Sequence, residues 1–298
     1  MITHGHHVSH DLAHPEATPL VPVPPRWVEE LLGSSSSGST PNGGVDVRTL
    51  GSAAHATTRI RDAVDLDAAD LRGKVASAYR ALIESLHKIG RHPARFWNFI
   101  PDIGETMVDG LDRYMVFNAG RHDAYSNQCG ALGTASAVGI KGTDLSIHCL
   151  ALDEPGTPVE NPRQTPAWQY SARYGPLPPC FSRATIVDLA GRRTLLIGGT
   201  ASVVGEDSRH AGQFDAQLEE TLLNLEALIR TADGNSPDGG AALHRLVDLR
   251  VYVTSPLEGE RVRGVIASRC PRARNVAVAL AQVCRPELLV EIEGVAEL

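Results

Sequence analysis

The sequence has no long hydrophobic run and no excess of positive charge. No segment approaches the roughly 18 consecutive apolar residues of a transmembrane helix, so we expect none. Lysine and arginine number 28 against 35 aspartates and glutamates, which gives a formal net charge of -7. A protein that binds nucleic acid through its phosphates needs a basic excess. We therefore expect no nucleic-acid partner, and any anionic ligand must be held by a local group of arginines.

Cysteine is scarce, and the recognised cofactor motifs are absent. The five cysteines include no C-x-x-C pair, which argues against a disulfide framework and a structural zinc site. No basic segment followed by an apolar one opens the chain, so we expect no secretory signal and a reduced, cytoplasmic protein. The glycine-rich GGTASVVGE does not run from a strand into a long helix as G-x-G-x-x-G, and no Walker, G-x-S-x-G or H-E-x-x-H motif is present. These absences predict a protein with no metal and no cofactor.

The distribution of apolar residues indicates two similar halves. Residues 1–45 are rich in His, Pro, Ser and Gly and are predicted to be largely flexible, with Trp27 and Leu31 available to attach their end to the domain. Apolar residues at helical spacing predict long helices over 67–90 and 214–234. Each is followed by the same order of strand, helix, strand and strand. We therefore predict an α+β fold with related halves, a first over 46–160 and a second over 161–298, each a mixed sheet with helices packed on one face.

The second half resembles the YjgF/RidA family over residues 186–298. The resemblance is carried by AQLEETLLNLEALI, LVDLRVYVT and the closing VEIEGVA. Proteins of that family normally work as trimers, with small-molecule sites in the clefts between subunits. Two YjgF/RidA-like halves in one chain imply that a cleft within the chain serves instead. The chain is then either a monomer or a homotrimer.

A second resemblance, to the chorismatase family, covers nearly the whole folded region. It is carried, in order, by RFWNFIPDI, RYMVFNAGRHDAY, YSARYGPLPPCFSRAT, GGTASVVGE and CRPELLVEIEG. Chorismatases act in bacterial secondary metabolism and release pyruvate from the enolpyruvyl ether of chorismate without a cofactor. The resemblance implies that activity, with 3-hydroxybenzoate favoured as the ring product over the dihydroxycyclohexadiene carboxylate of the hydrolytic branch. The alternatives are a RidA-like imine deaminase and a non-enzymatic binder of small carboxylates.

Glu291 is the candidate general acid. It lies in LLVEIEGVA, a predicted strand in which alternate residues share one face. A carboxyl buried among apolar neighbours has a raised pKa, which suits a general acid, but the pattern is equally compatible with a glutamate that faces water. The resemblance favours the role of general acid for Glu291, because the first Glu of V-E-I-E-G is the proton donor of the family. Glu293 is the alternative donor.

Chorismate carries two carboxylates, so its site needs at least two fixed cations, and the planar fork of arginine binds a carboxylate bidentately. The candidate arginines are Arg121, Arg173, Arg183 and Arg274. Arg173 lies between Tyr170 and Tyr174, which add two phenol donors, and the rigid GPLPP follows. Arg274 matches, by resemblance, the arginine that contacts a ligand carboxylate in RidA-like proteins.

Cys284 lies seven residues before Glu291. A buried cysteine is most often an inert small hydrophobe. The resemblance implies instead that a cysteine at this place marks the branch that makes 3-hydroxybenzoate, where it assists aromatisation of the ring. The resemblance also implies that one small residue in GGTAS differs between the two branches. This residue is either Gly199 or Ala201.

Overall fold

The computed structural model describes residues 17–33, 37–38, 44–107, 110–125, 133–234 and 242–298. The helices of this part of the chain are α1 (Arg26–Leu32), α2 (Ala68–Lys88), α3 (Arg113–Tyr125), α4 (Phe214–Ala232) and α5 (Gly259–Arg269). The strands are β1 (Thr18–Pro19), β2 (Ser37–Gly38), β3 (Val45–Leu50), β4 (Ala53–Ile60), β5 (His92–Pro101), β6 (Thr134–Ile140), β7 (Leu145–Leu152), β8 (Thr157–Val159), β9 (Ala184–Leu189), β10 (Arg192–Ala201), β11 (Val203–Val204), β12 (Asp207–Ser208), β13 (Leu246–Val253), β14 (Asn275–Leu280) and β15 (Val290–Glu297). None of these helices combines the length and the apolarity that crossing a bilayer requires.

The same order of elements occurs twice. The first half runs β3-β4-α2-β5-α3-β6-β7, and the second runs β9-β10-α4-β13-α5-β14-β15. The strand neighbours also correspond, in the orders β3-β4-β7-β5-β6 and β9-β10-β15-β13-β14. Each sheet is mixed, because only β5–β6 and β13–β14 of these pairs are parallel. The predicted duplication in an α+β fold is confirmed, and it extends to the β3–β4 hairpin. That hairpin escaped prediction because the small residues of AAHATTRI give little alternation of large apolar side chains.

The two long helices each bury one apolar face. In α2, Leu71, Val75 and Leu82 are fully buried, and the Asp67 side chain accepts a hydrogen bond from the Asp70 backbone N–H at 2.8 Å, which caps the start of the helix. In α4 the corresponding buried face is formed by Leu218, Leu222, Leu225 and Leu228. Both helices lie where the spacing predicts them, with ends that differ by at most two residues.

The two sheets pack face to face and carry their helices on the outside. Trp97 and Phe99 of the first sheet meet Leu196, Tyr252 and Val295 of the second in a core between the sheets. Helices α2 and α3 cover the outer face of the first sheet, and α4 and α5 cover that of the second. The resulting order is helix, sheet, sheet, helix. Side chains on the inner faces of the two sheets therefore meet at the interface between the halves.

Part of the N-terminal segment packs on the sheets. Strand β1 pairs in parallel with β14, and α1 buries Val28 and Leu32. The ring of Trp27 contacts that of Trp97 edge to face, with centroids 6.1 Å apart. The prediction of a flexible segment is therefore wrong for residues 17–33, because the apolar side chains of RWVEELL bury enough surface to order it. The histidine-rich residues 4–14 lie outside the described residues.

The cysteines differ in state. Cys149, Cys270 and Cys284 are free thiols, whereas Cys180 is disulfide-bonded. The expectation that disulfides are absent is wrong for Cys180, because spacing along the sequence does not show which cysteines the fold brings together. Cys129 lies outside the described residues. In the part of the chain that the structure describes, no three His, Cys, Asp or Glu side chains are grouped so as to hold a metal ion.

Candidate active site

A cavity of about 210 Å³ lies between the two halves of the chain. Helix α3 and strand β6 of the first half form one wall. Strand β10, the connection through residues 164–183 and the turn before β15 form the other. The cleft is therefore built within a single chain, from residues of both halves.

Glu291 reaches this cavity because of its position in β15. The strand alternates, so that Val290 and Ile292 pack toward α4 while Glu291 and Glu293 face the first sheet. The side chain of Glu291 lies against Gly199 of the neighbouring strand β10. A Cβ atom at Gly199 would collide with Glu291 Oε1 and lie only 2.7 Å from its Cδ. The missing side chain of Gly199 therefore provides the space that the Glu291 carboxyl occupies.

The surroundings of Glu291 favour its protonated form. The residue is 4% exposed, so the water-facing alternative is wrong. Burial raises the pKa of Glu291 to about 8, and the nearby charge of Glu293 also raises it, while Arg95 and Arg183 lower it. A carboxyl with this pKa holds its proton at neutral pH and is able to deliver it to a bound molecule.

Glu293, the alternative donor, has other partners. Its carboxylate is paired with Arg95 at 2.8 Å, and both side chains are 2% exposed. It also accepts hydrogen bonds from Trp97 Nε1 at 3.0 Å and from Ser136 Oγ at 2.5 Å. With a cation and two neutral donors around it, Glu293 is placed as a fixed anion. The geometry favours Glu291 as the group that faces the ligand.

Arg121 and Arg183 are buried arginines that line the cavity. Neither is within ion-pair distance of a carboxylate belonging to the described residues. Arg121 Nη2 donates to the Cys180 carbonyl at 2.6 Å, and Arg183 Nη2 donates to the Tyr170 hydroxyl at 2.7 Å. Buried charges in proteins are usually paired. A carboxylate in the cavity would supply the partner that these guanidinium groups lack.

The other two candidate arginines, Arg173 and Arg274, are not buried in the cavity wall as Arg121 and Arg183 are. Arg173 lies at the rim, where its half-exposed guanidinium is paired with Glu206 at 3.1 Å and with Asp207 at 2.5 Å. Its charge is therefore already balanced. Arg274, the other predicted substrate-binding arginine, is exposed and lies outside the cavity, so the structure does not bring it to this site. Arg274 precedes Asn275, which pairs with Asp248 at one end of β13. Glu291 pairs with Tyr252 near the other end of β13, so Arg274 and Glu291 lie at opposite ends of this strand.

Arg285 is a cavity residue that the sequence motifs did not single out. Its guanidinium stacks on the ring of Tyr174 at 3.9 Å from the centroid and donates to the Glu206 carbonyl at 2.8 Å. Tyr170 and Tyr174 both line the cavity, with ring centroids 5.3 Å apart. Arg285 follows Cys284 directly, so the string CRPELLVEIEG contained the signal for it. Tyr114, which lies in the string RYMVFNAGRHDAY, is a further lining residue of this kind, whereas Asp112, Ser136 and Gln164 line the cavity without any such signal.

Cys284 and the two small residues of GGTAS also line the cavity. Burial raises the pKa of the Cys284 thiol to about 12, and the nearby charge of Glu291 adds to the shift. Cys284 therefore remains a neutral thiol at physiological pH and is no thiolate nucleophile. Gly199 and Ala201 both face the same space, so the branch-determining position stays open between them.

Known proteins resemble this chain over most of its length. A family model described as "Chorismatase FkbO/Hyg5-like, N-terminal" matches residues 30–151. A 3-hydroxybenzoate synthase from Streptomyces hygroscopicus is 33% identical over 232 residues, which span 74% of this chain and 68% of that protein. A chorismatase from Streptomyces rapamycinicus is 34% identical, over 74% of this chain and 69% of the relative. The crystal structure of a chorismatase superimposes with a TM-score of 0.76 at 27% identity, covering 87% of this chain and 78% of that one.

Proposed function

The chain belongs to the chorismatase family, and from this we propose that it cleaves the enolpyruvyl ether of chorismate and releases pyruvate, with Glu291 as the general acid. The observation that carries the proposal is the buried carboxyl of Glu291 in the cavity between the halves, beside Gly199 and with a pKa raised to about 8. A protonated carboxyl at neutral pH is what protonation of an enol ether requires.

The arginines of the cavity account for the binding of a dicarboxylate. Arg121 and Arg183 offer two buried guanidinium groups without carboxylate partners among the described residues, and Arg285 offers a third at the turn before β15. We propose that two of them bind the ring carboxylate and the enolpyruvyl carboxylate of chorismate. The phenols of Tyr170 and Tyr174 hold Arg183 and Arg285 in place. Because these contacts are charged and shielded from water, they fix the orientation of the substrate.

Glu291 then transfers its proton to the methylene carbon of the enol ether. The positive charge that forms on the neighbouring carbon is stabilised by the ether oxygen as an oxocarbenium ion. The departing proton leaves Glu291 as a carboxylate beside this cation, which stabilises it further. Capture of this cation by water gives a hemiketal that collapses to pyruvate and the dihydroxycyclohexadiene carboxylate, the hydrolytic outcome. In the other branch the ring hydroxyl captures the cation instead, and its C–O bond to the ring breaks as the ring aromatises, so that this oxygen leaves with pyruvate.

We propose 3-hydroxybenzoate as the ring product. The atoms of chorismate equal those of 3-hydroxybenzoate and pyruvate together, because the water that the ring loses on aromatisation offsets the water that hydrolysis adds. The balance therefore needs no co-reactant. The proposal is supported by the 33% identity to a 3-hydroxybenzoate synthase and by the neutral thiol of Cys284 in the cavity wall. Since the cavity is built from one chain, we propose that a monomer is competent and that a trimer is not needed for the chemistry.

The test is direct. Purified protein is incubated with chorismate, pyruvate is followed with a coupled dehydrogenase, and the ring product is identified by chromatography. We expect pyruvate and 3-hydroxybenzoate in equal amounts, and Glu291→Gln should bind chorismate but release pyruvate about 10²–10⁴-fold more slowly, because the amide delivers no proton. Glu287→Gln, at another carboxyl of the cavity wall, is the matched control. Binding of chorismate without pyruvate release by the parent would favour the small-carboxylate binder instead.

A further inference from the structure

We propose that the buried ion pair of Arg95 and Glu293 sets the pH range in which Glu291 acts as an acid. Both are positioning residues, because neither lines the cavity. The inference rests on the proposed function, in which Glu291 gives up a proton. It assigns a purpose to a charge pair that the binding of substrate does not use.

The pair is held rigidly behind the acid. Glu293 follows Glu291 by two residues on the same face of β15, so their carboxyls start from backbone positions about 7 Å apart. Arg95 of β5 reaches Glu293 from the opposing sheet, and its Nη1 also donates to the Phe96 carbonyl at 2.6 Å. Trp97 and Ser136 complete the shell around Glu293. With every contact made by a buried group, the charges have fixed positions relative to Glu291.

The charges around Glu291 act in opposite directions. The negative Glu293 opposes ionisation of its neighbour, whereas Arg95 and Arg183 promote it. Other titratable or charged groups that face Glu291 or Glu293 come from α3, from β13 and from the turn before β15: Tyr114, Asp248, Arg250, Tyr252 and Cys284. A substrate carboxylate on Arg183 would cancel the effect of that arginine. The charges that still act on Glu291 in the complex are then those of the Arg95–Glu293 pair.

A pair suits this purpose better than a lone charge. An isolated carboxylate at the position of Glu293 would be costly to bury. Arg95 offsets that cost from the other sheet, while the negative end of the pair stays on the strand of Glu291. The acid is therefore kept protonated by a neighbour whose charge is itself stabilised.

The experiment compares the pH dependence of kcat for pyruvate release in the parent and in charge variants. Activity falls as pH rises through the pKa of the acid, so the midpoint of the alkaline limb reports on Glu291. Glu293→Gln leaves Arg95 unopposed and should move this midpoint down by about one to two pH units. This is the size expected for unit charges separated by the roughly 7 Å between the two backbone positions, at an effective dielectric constant of about 20. Arg95→Met should move it up. Ser136→Ala removes one hydrogen bond to Glu293 but no charge, and should move it by less than about half a unit.

Two comparisons keep the proposal falsifiable. If Glu293→Gln alone does not fold, Arg95→Met is compared with the double variant Arg95→Met/Glu293→Gln. These two proteins differ only by the negative charge of Glu293. The single variant should have the higher midpoint. Midpoints that agree within about 0.3 pH units in either comparison would overturn the inference, since a purely structural role changes the rate without moving the profile. Undiminished pyruvate release by Glu291→Gln would instead overturn the proposed function.

Discussion

At the scale of the residue, the position of the Glu291 carboxyl depends on the lack of a side chain at Gly199. Gly198 and Gly199 lie in an irregular stretch of β10, where the register against β15 shifts between Ile197 and Thr200. The Glu291 carboxyl fills the space that a Cβ at Gly199 would need. The role of glycine here is close approach rather than backbone flexibility.

We expect Gly199→Ala to lower kcat for pyruvate release by about 10²-fold or more, with a smaller change in KM. The added methyl displaces the acid from its pocket, and a small misplacement of a catalytic group is costly. Steady-state kinetics on folded protein checks this, with Ala201→Gly as the control that removes a methyl from the same wall. A Gly199→Ala rate within about threefold of the parent would show that the acid tolerates displacement.

We expect Cys284→Ala to shift the ring product from 3-hydroxybenzoate toward the dihydroxycyclohexadiene carboxylate. The smaller alanine leaves room for water near the ring and removes an S–H donor. Total pyruvate should fall much less than in Glu291→Gln, because the first proton transfer is intact. Chromatography of the ring products measures the ratio, and Cys270→Ala, far from the cavity in the helix-side core, is the control. An unchanged ratio would return Cys284 to ordinary packing.

At the scale of the element, the connection between the halves forms the cover of the cavity. Its residues 170–174 are tied to the β11–β12 turn, because the Glu206 carboxylate accepts hydrogen bonds from Ser171 N–H and Oγ, each at 2.8 Å. Arg173 adds its ion pairs with Glu206 and Asp207. Arg173 therefore holds the cover in place, while Arg183 behind it faces the cavity.

We expect Arg183→Met to raise KM for chorismate by roughly 10–150-fold, the loss of a charge-assisted contact of about 1.5–3 kcal/mol. Arg173→Met should raise it by no more than about threefold, because its exposed ion pairs are screened by solvent. Steady-state kinetics on the two variants, with thermal unfolding to check the fold, makes the comparison. Equal effects on KM would mean that Arg173 turns from its ion pairs toward the substrate.

At the scale of the whole molecule, a histidine pair is buried on the inner face of the first sheet. His148 Nδ1 lies 3.2 Å from His55 Nε2, and the rings are stacked with centroids 5.3 Å apart. Burial lowers the pKa of His55 to about 4 and that of His148 to about 3, and in each the charge of its neighbours adds to the shift. The folded protein therefore needs both rings neutral.

This pair makes stability depend on pH. Histidines of the unfolded chain take up protons near pH 6.5, but those of the folded chain do so only near pH 4 and below. The contribution of the pair is present above pH 6.5 and is lost as the pH falls toward 4. The carboxyls whose pKa burial raises, Asp112, Glu160, Asp248 and Glu291, act in the opposite direction over part of this range. The contribution of the histidines is therefore isolated by comparing variants.

We expect His148→Gln to make the fall in unfolding free energy between pH 6.5 and pH 4 shallower by about 1.4 kcal/mol per pH unit, which corresponds to one proton. Urea unfolding at several pH values measures the slope. His244→Gln, at an exposed histidine, should leave the slope unchanged. A parent and a His148→Gln variant with the same slope would show that His148 does not take up a proton on unfolding.

Local pattern was enough to predict the helices, the duplication and the strand that carries both candidate acids. Apolar spacing places α2 and α4, and period-two alternation puts Glu291 and Glu293 on one face of β15, because these features depend on residues close together in the chain. The resemblance to chorismatases then distinguished the two glutamates.

Only the tertiary structure decided which side chains meet. Arg95 and Glu293 lie 198 residues apart, and no local pattern relates them, because their contact arises where the two sheets pack. The same packing leaves Arg121 and Arg183 without carboxylate partners among the described residues, balances Arg173 at the rim and places Arg274 at the far end of β13. Charge balance is set by neighbours in space, and a single sequence shows only neighbours along the chain.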